Sequence, residues 1–252
     1  MLVLSLLVVI ESVLLFSRKP ATVKPLVKKH ALVRAEVAIV IDDWGYSLNN
    51  TPILGKIKYP LTLAILPNLK FSKTIAQDVS AQKNREVILH LPSEPYEKMS
   101  LEPDTIRISM SGAEIEKIIA KDLDSIVYAK GISNHMGSRV TSDERAMGFI
   151  LKEVKKDSLY FLDSFVSPKS VCAKVAKEIG VPFARRDIFL DNKNDIIYIR
   201  QQVLKLKDQA IKNGKAIGIG HDRKYTLEVL LEMMSLLEKE GIKFVLLSEV
   251  VK

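Results

Sequence analysis

The sequence predicts an α/β fold, an irregular (β/α) barrel of seven or eight mostly parallel strands. Three observations point there. Apolar runs of strand length alternate with longer stretches in which apolar residues recur at helical spacing. The strand runs are nearly continuous in Val, Ile, Leu and Ala, as expected of strands covered on both faces, and do not alternate as half-solvated antiparallel strands do. The stretch from residue 36 to residue 252 has room for seven or eight such units, with no internal break in composition to divide it.

In chain order the strand candidates are residues 37–41 (VAIVI), 61–66 (LTLAIL), 86–89 (EVIL), a short 131–133, 159–162 (LYFL), 187–190, 216–219 (AIGI) and 243–247 (KFVLL). Between them lie helical stretches. In 113–129 the residues Ile115, Ile118, Ile119, Leu123 and Ile126 share one face, and 142–156, 168–179, 198–213 and 226–241 read the same way. Thr226 reads as the N-cap of the closing helix and Gly241 as its stop.

Hydrophobic residues at 47% and charged residues at 27% of 252 exclude a disordered chain, and the single Cys172 excludes both an internal disulfide and a cysteine-based zinc site. The net charge of +8 raises the question of nucleic acid. Its distribution answers it: residues 17–36 carry +5 and the first sixteen carry −1, which leaves +4 on residues 37–252. A body so near neutral has no broad phosphate-binding surface, so nucleic acid is not an expected partner.

Residues 1–16 (MLVLSLLVVIESVLLF) are shorter than the ~20 residues of a full membrane span. They suit a signal peptide or membrane anchor, and the absence of a following Ala-x-Ala pattern favours the anchor. Residues 17–35 read as a basic, Pro-containing linker, and 36–252 as the barrel domain. Basic residues follow the apolar run and none precede it, which by the positive-inside rule would hold the body in the cytoplasm. The expectation adopted is an exported, periplasmic or extracytoplasmic domain tethered to a membrane, with a basic segment upstream of the present start.

Polar residues stand where a barrel places its chemistry, at the carboxyl ends of strands. VAIVI runs into Asp42-Asp43-Trp44-Gly45, and EVIL into His90-Leu91-Pro92-Ser93-Glu94. The short 131–133 runs into Asn134-His135-Met136-Gly137-Ser138-Arg139, LYFL into Asp163-Ser164, and AIGIG into His221-Asp222. Taken singly, each has a plainer reading as a cap, a turn or a packed histidine, and Gly218 and Gly220 read as close-packing residues. Together they put Asp, His, His, Asp and His on one rim. Two imidazoles and a carboxylate make a three-ligand set for a divalent metal, most suitably Zn²⁺, with positions left open. A second carboxylate is then available as base and a third imidazole as proton donor, which is equipment for hydrolysing an amide or ester.

IDDWG, HLPSEP, GISNHMGS, YFLDS, RRDIFLDN and GIGH, in that order, resemble the divergent polysaccharide deacetylase family, a branch of the NodB-like carbohydrate esterases, over residues 36–252. The resemblance implies a NodB-like distorted barrel and metal-dependent removal of acetyl groups from sugars. It implies Asp42 as base, Asp43 as metal ligand, His90 as a second ligand and His221 as the acid. The family's usual second histidine falls at Glu94, so the third ligand is Glu94 or His135; His135 is preferred because it completes a two-His, one-Asp set. Asn134 is then expected to orient a ligand or bind substrate, Asp163 to orient His221, Trp44 to stack on a sugar, and Arg139, Arg185 and Arg186 to meet anionic parts of a glycan. The expected partner is an acetylated glycan, peptidoglycan or an exopolysaccharide. The alternative is a catalytically silent, membrane-tethered glycan-binding or scaffold protein.

Overall fold

The longest strand, β1 (Ala35–Trp44), is an interior strand of the sheet; the computed structural model describes residues 32–252. The apolar segment 1–16 and the linker up to residue 31 lie outside the described residues. After β1 come α1 (Thr51–Leu54), β2 (Leu61–Ile65), α2 (Ser72–Ser80), β3 (Arg85–Ser93), α3 (Gly112–Ser125) and β4 (Gly131–Met136). Then follow α4 (Glu144–Lys156), β5 (Tyr160–Asp163), α5 (Cys172–Ile179), β6 (Phe183–Arg185) and β7 (Ile188–Phe189). The chain closes with α6 (Ile196–Asn213), β8 (Lys215–His221), α7 (Lys224–Lys239) and β9 (Ile242–Val245).

All the strand pairs are parallel, in the order β6-β5-β4-β3-β2-β1-β8-β7. The ninth strand, β9, pairs with Ala35–Ala38 of β1, below the part of β1 that pairs with β2. The two ends of the path, β6 and β7, are consecutive in the chain and separated only by Arg186 and Asp187. An extended chain covers at most about 3.5 Å per residue, so the sheet's edges must come within roughly 10 Å of each other. The sheet is therefore curled into the expected irregular barrel. Sequence patterning yields eight of the nine strands; it misses β6, a three-residue piece beside Pro182, and the short helices α1 and α2.

Period-two alternation divides the sheet into two layers. Ala38, Val40, Ala64, Ile88, Leu162, Ile217 and Ile219 point inward and fill the barrel as one cluster. Val37, Ile39, Ile41, Leu63, Val87, Leu89 and Phe161 point outward and pack with the helices. At the amino-terminal mouth the Thr62 and Tyr160 hydroxyls and the Ser248 N–H all donate to Glu86 Oε1, pinning the 3₁₀ turn Leu247–Glu249 under the inner core. Ile219→Ala should therefore open a cavity and cost roughly 2–5 kcal/mol. Denaturant unfolding with an unchanged slope checks this, and a loss under ~1 kcal/mol would show that the inner layer relaxes freely.

The closing helix departs from its expected start. It begins at Lys224 with Arg223 in the capping position, and Thr226 lies inside it. Gly241 does end it, at φ 95°. Among the described residues no helix is long and apolar enough to cross a membrane.

Candidate functional site

The inward columns of the barrel continue one step past the apolar core into chemistry. Val40 is followed inward by Asp42, Ile88 by His90 and Ile219 by His221. In β1, strict alternation would put Asp42 and Asp43 on opposite faces. A bulge prevents it: Ile41 pairs with Leu63 and Trp44 with Ile65, so β1 carries one extra residue there. Asp43 absorbs the irregularity in the left-handed region at φ 66°, which Asp tolerates better than most residues. Both carboxylates thereby reach the rim, while Trp44 drops outward into the helix-facing core, fully buried.

Asp43 Oδ1 lies 3.4 Å from His90 Nε2 and 3.1 Å from His135 Nδ1. Neither contact has hydrogen-bond geometry, and Asp43 Oδ1 has no bonded partner. Ligand atoms of Asp43, His90 and His135 all fall within 4.8 Å of one another. His90 is oriented from behind by Ser133 Oγ, 2.7 Å from its Nδ1, which turns Nε2 towards the aspartates. Asp42 Oδ1, Asp43 Oδ1 and His135 Nε2 are all buried without partners. Native proteins rarely leave such atoms unsatisfied, and three in one pocket mark a place for a bound group. In a tetrahedral site with bonds near 2.0–2.2 Å, ligand atoms stand about 3.4 Å apart, so this donor set fits a divalent cation. Behind His135, Met136 and Gly137 both take positive φ, and a Cβ on Gly137 would lie 2.7 Å from Ser93 Cβ.

Burial raises the Asp42 carboxyl above the usual range, against the pull of His90 and His221. At Asp43 burial pushes the same way, but His135 and His90 outweigh it and hold the carboxyl well below the usual range. Across the cleft, His221 Nδ1 is 2.7 Å from Asp191 Oδ1. Asp191 Oδ2 accepts from the His221 N–H at 2.9 Å and from the Thr226 hydroxyl at 2.6 Å. Gly220 permits the approach, because a Cβ there would meet Thr226 Cγ2 at 2.7 Å. Burial lowers the His221 pKa, yet the Asp191 hydrogen bond and charge, with Asp42 and Asp43, raise it overall. The resulting cleft, about 260 Å³, is lined by Asp42, Asp43, His90, His135, Phe189 and His221 among others.

Several expected roles are corrected. Asp163 does not orient His221: its oxygens accept from Phe165 N–H and the Ser170 hydroxyl, and Asp191 holds the imidazole instead. Glu94 is not in the cluster. It braces the loop after β3, accepting from Ile108 N–H and pairing with Arg139 at 3.2 Å, which also accounts for Arg139. Asn134 uses its side chain on the Met136 carbonyl and the Ser164 N–H. Trp44 is core and cannot stack on a sugar. Arg186 donates to the Ser164 and Phe165 carbonyls, and the Arg185 guanidinium sits 4.6 Å over the Phe165 ring. Asp191 itself was missed, although it closes the strand segment 187–190 and so obeys the strand-end rule that found the others.

The sequence pattern described as "Divergent polysaccharide deacetylase" matches residues 39–251. The chain belongs to this family. It is 35% identical over 203 residues to the uncharacterized protein YibQ of Escherichia coli K12, covering 81% of this chain and 63% of that protein. The chain thus spans less than two thirds of that relative's length. It superposes on the crystal structure of the uncharacterized protein ATU2773 of Agrobacterium tumefaciens with TM-score 0.80 and 24% identity, over 88% of this chain and 90% of that one. It also superposes on the Bc1960 peptidoglycan N-acetylglucosamine deacetylase with TM-score 0.56 and 13% identity, over 85% and 86% respectively. These likenesses show a NodB-like barrel.

Proposed function

We propose that the protein is a metal-dependent hydrolase that removes acetyl groups from a cell-envelope polysaccharide, with N-acetylated peptidoglycan sugar as the leading substrate and Zn²⁺ as the leading metal. The observation that carries this is the meeting of Asp43, His90 and His135 around unpartnered buried atoms, with an unligated carboxylate on one side and an Asp–His pair on the other. The family supports the substrate class, and the work stated for the Bc1960 neighbour supports an N-acetyl sugar.

Asp43, His90 and His135 would hold the cation, which when bound supplies Lewis acidity to an acyl carbonyl. Asp42, buried and raised towards proton affinity, takes a proton from the water that adds to the acyl carbon. His221 presents Nε2 to the cleft because Nδ1 faces Asp191, and it gives its proton to the departing nitrogen or oxygen as the bond to the acyl carbon breaks. Acetate and the free amine or hydroxyl are the products. An extracytoplasmic, membrane-tethered location fits that substrate and rests on the N-terminal apolar segment; an alkaline phosphatase fusion at the domain end tests it.

Purified protein should carry close to one divalent ion per chain and release acetate from N-acetylated glycan. Chelator dialysis should abolish the release, and added Zn²⁺ should restore it. His135→Ala should lose the ion. Protein that carries no metal, ignores chelators and still binds the glycan would replace this reading with the scaffold one.

A further inference from the structure

Asp191 fixes one edge of the His221 ring, but a hydrogen bond at a single ring atom does not set the plane of the ring. A flat contact does. The Phe189 ring stacks on His221 with centroids 5.9 Å apart and planes 18° from parallel. Phe189 is gripped in turn by Arg186, whose guanidinium lies 3.7 Å from the Phe189 ring centre. Arg186 is itself immobilised: Nε donates to the Ser164 carbonyl at 2.7 Å and Nη2 to the Phe165 carbonyl at 2.8 Å. These residues stand at the seam where β6 and β7, the two ends of the sheet path, face each other. The loop after β5 is thus joined through Arg186 and Phe189 to His221, and through Asp191 to Thr226 of α7.

We propose that Phe189 and Arg186 are positioning residues for His221, Phe189 setting the plane of the imidazole and Arg186 clamping Phe189 across the barrel seam. The inference deepens the deacetylase reading, since it states how the proton donor of that site is aimed. It gives Arg186 a role other than binding anionic glycan, with Nε and Nη2 each donating to a backbone carbonyl. The charged groups acting on His221 are Asp191, Asp42 and Asp43, with Arg223 bonded to the Asp191 carbonyl at 2.8 Å.

The test compares Phe189→Leu, which keeps apolar bulk without a flat face, with Phe189→Tyr, which keeps the face. The primary readout needs no activity: the Nδ1–H proton resonance of His221 in ¹⁵N-labelled full-length protein. In Phe189→Leu this resonance should broaden through faster exchange, kcat should fall about tenfold, KM should stay within about twofold and metal content should not change. Phe189→Tyr should keep the wild-type resonance. Arg186→Gln, where folded by circular dichroism, should reproduce the broadening with Phe189 in place; an unchanged resonance there removes Arg186 from the proposal. A folded Phe189→Leu protein with a wild-type resonance overturns the proposal, as does a Tyr variant whose resonance is as broad as that of the Leu one. If wild-type protein releases no acetate from any glycan yet the resonance behaves as expected, the deacetylase reading fails and the positioning inference stands.

Discussion

Asp42→Asn should cut turnover by about a thousandfold while the bound metal remains stoichiometric, because the change removes a base and leaves the three proposed ligands intact. Asp43→Asn should do the reverse, depleting the ion first and losing activity as a result. The two aspartates are neighbours in sequence, yet the bulge in β1 gives them different surroundings. Asp42 continues the inward column above Val40 and is almost wholly buried, with Oδ2 3.6 Å from His90. Asp43 sits at φ 66° between the two imidazoles. The carboxyl that burial raises is suited to accept a proton; the one that the imidazoles hold down is suited to stay ionised against a cation. A base must be deprotonated to act, so the wild-type rate should fall as the pH is lowered through the Asp42 transition. Metal analysis beside acetate release separates the roles. If Asp42→Asn loses its metal while Asp43→Asn keeps it, the division between the two aspartates is reversed.

The barrel was legible because its strands are buried on both faces, so VAIVI, LTLAIL and AIGI stand out as continuous apolar runs, and because the helices between them keep a clear apolar stripe. Asp42, Asp43, His90, His135 and His221 were legible by one topological rule, that parallel strands end at a common rim. What failed was anything set by contacts after that rim. Trp44 looked available because it follows two aspartates, but the bulge sends it outward into the core. Glu94 and Arg139 neutralise each other while bracing a long loop. Asp163 and Asp191 both close strands, and sequence gives no means of telling which one faces His221. The register does: β8 lies between β1 and β7, so its final residue is flanked by Asp42 on one side and by the end of the β7 segment, Asp191, on the other. Strand β6, Phe183–Arg185, was missed because it directly follows Pro182 and runs into two arginines, which leaves no apolar run.

Asp191→Asn should lower activity by about 10²–10⁴-fold with metal retained, since the imidazole loses the carboxylate that fixes its tautomer and favours its charged form. The pH dependence gives the sharper signature. The His221 pKa is raised in the folded protein, and the proposed proton donor works only while protonated, so activity should fall as the pH rises through that value. Without the Asp191 charge the value drops, and the alkaline limb of the rate profile should move to lower pH. Stability follows the same linkage. The His221 contribution is fully present below its unfolded value near 6.5 and is lost as the pH rises through the higher folded value. For Asp191, burial raises the pKa but the His221 hydrogen bond and charge lower it overall. Its contribution is therefore present above its unfolded value of about 3.9 and is lost as the pH falls through the lower folded value. Both contributions overlap fully between about pH 4 and pH 6.5, so that is where Asp191→Asn should destabilise the fold most, as read by denaturant unfolding across pH. An alkaline limb left in place by the substitution would show that the group titrating there is not His221.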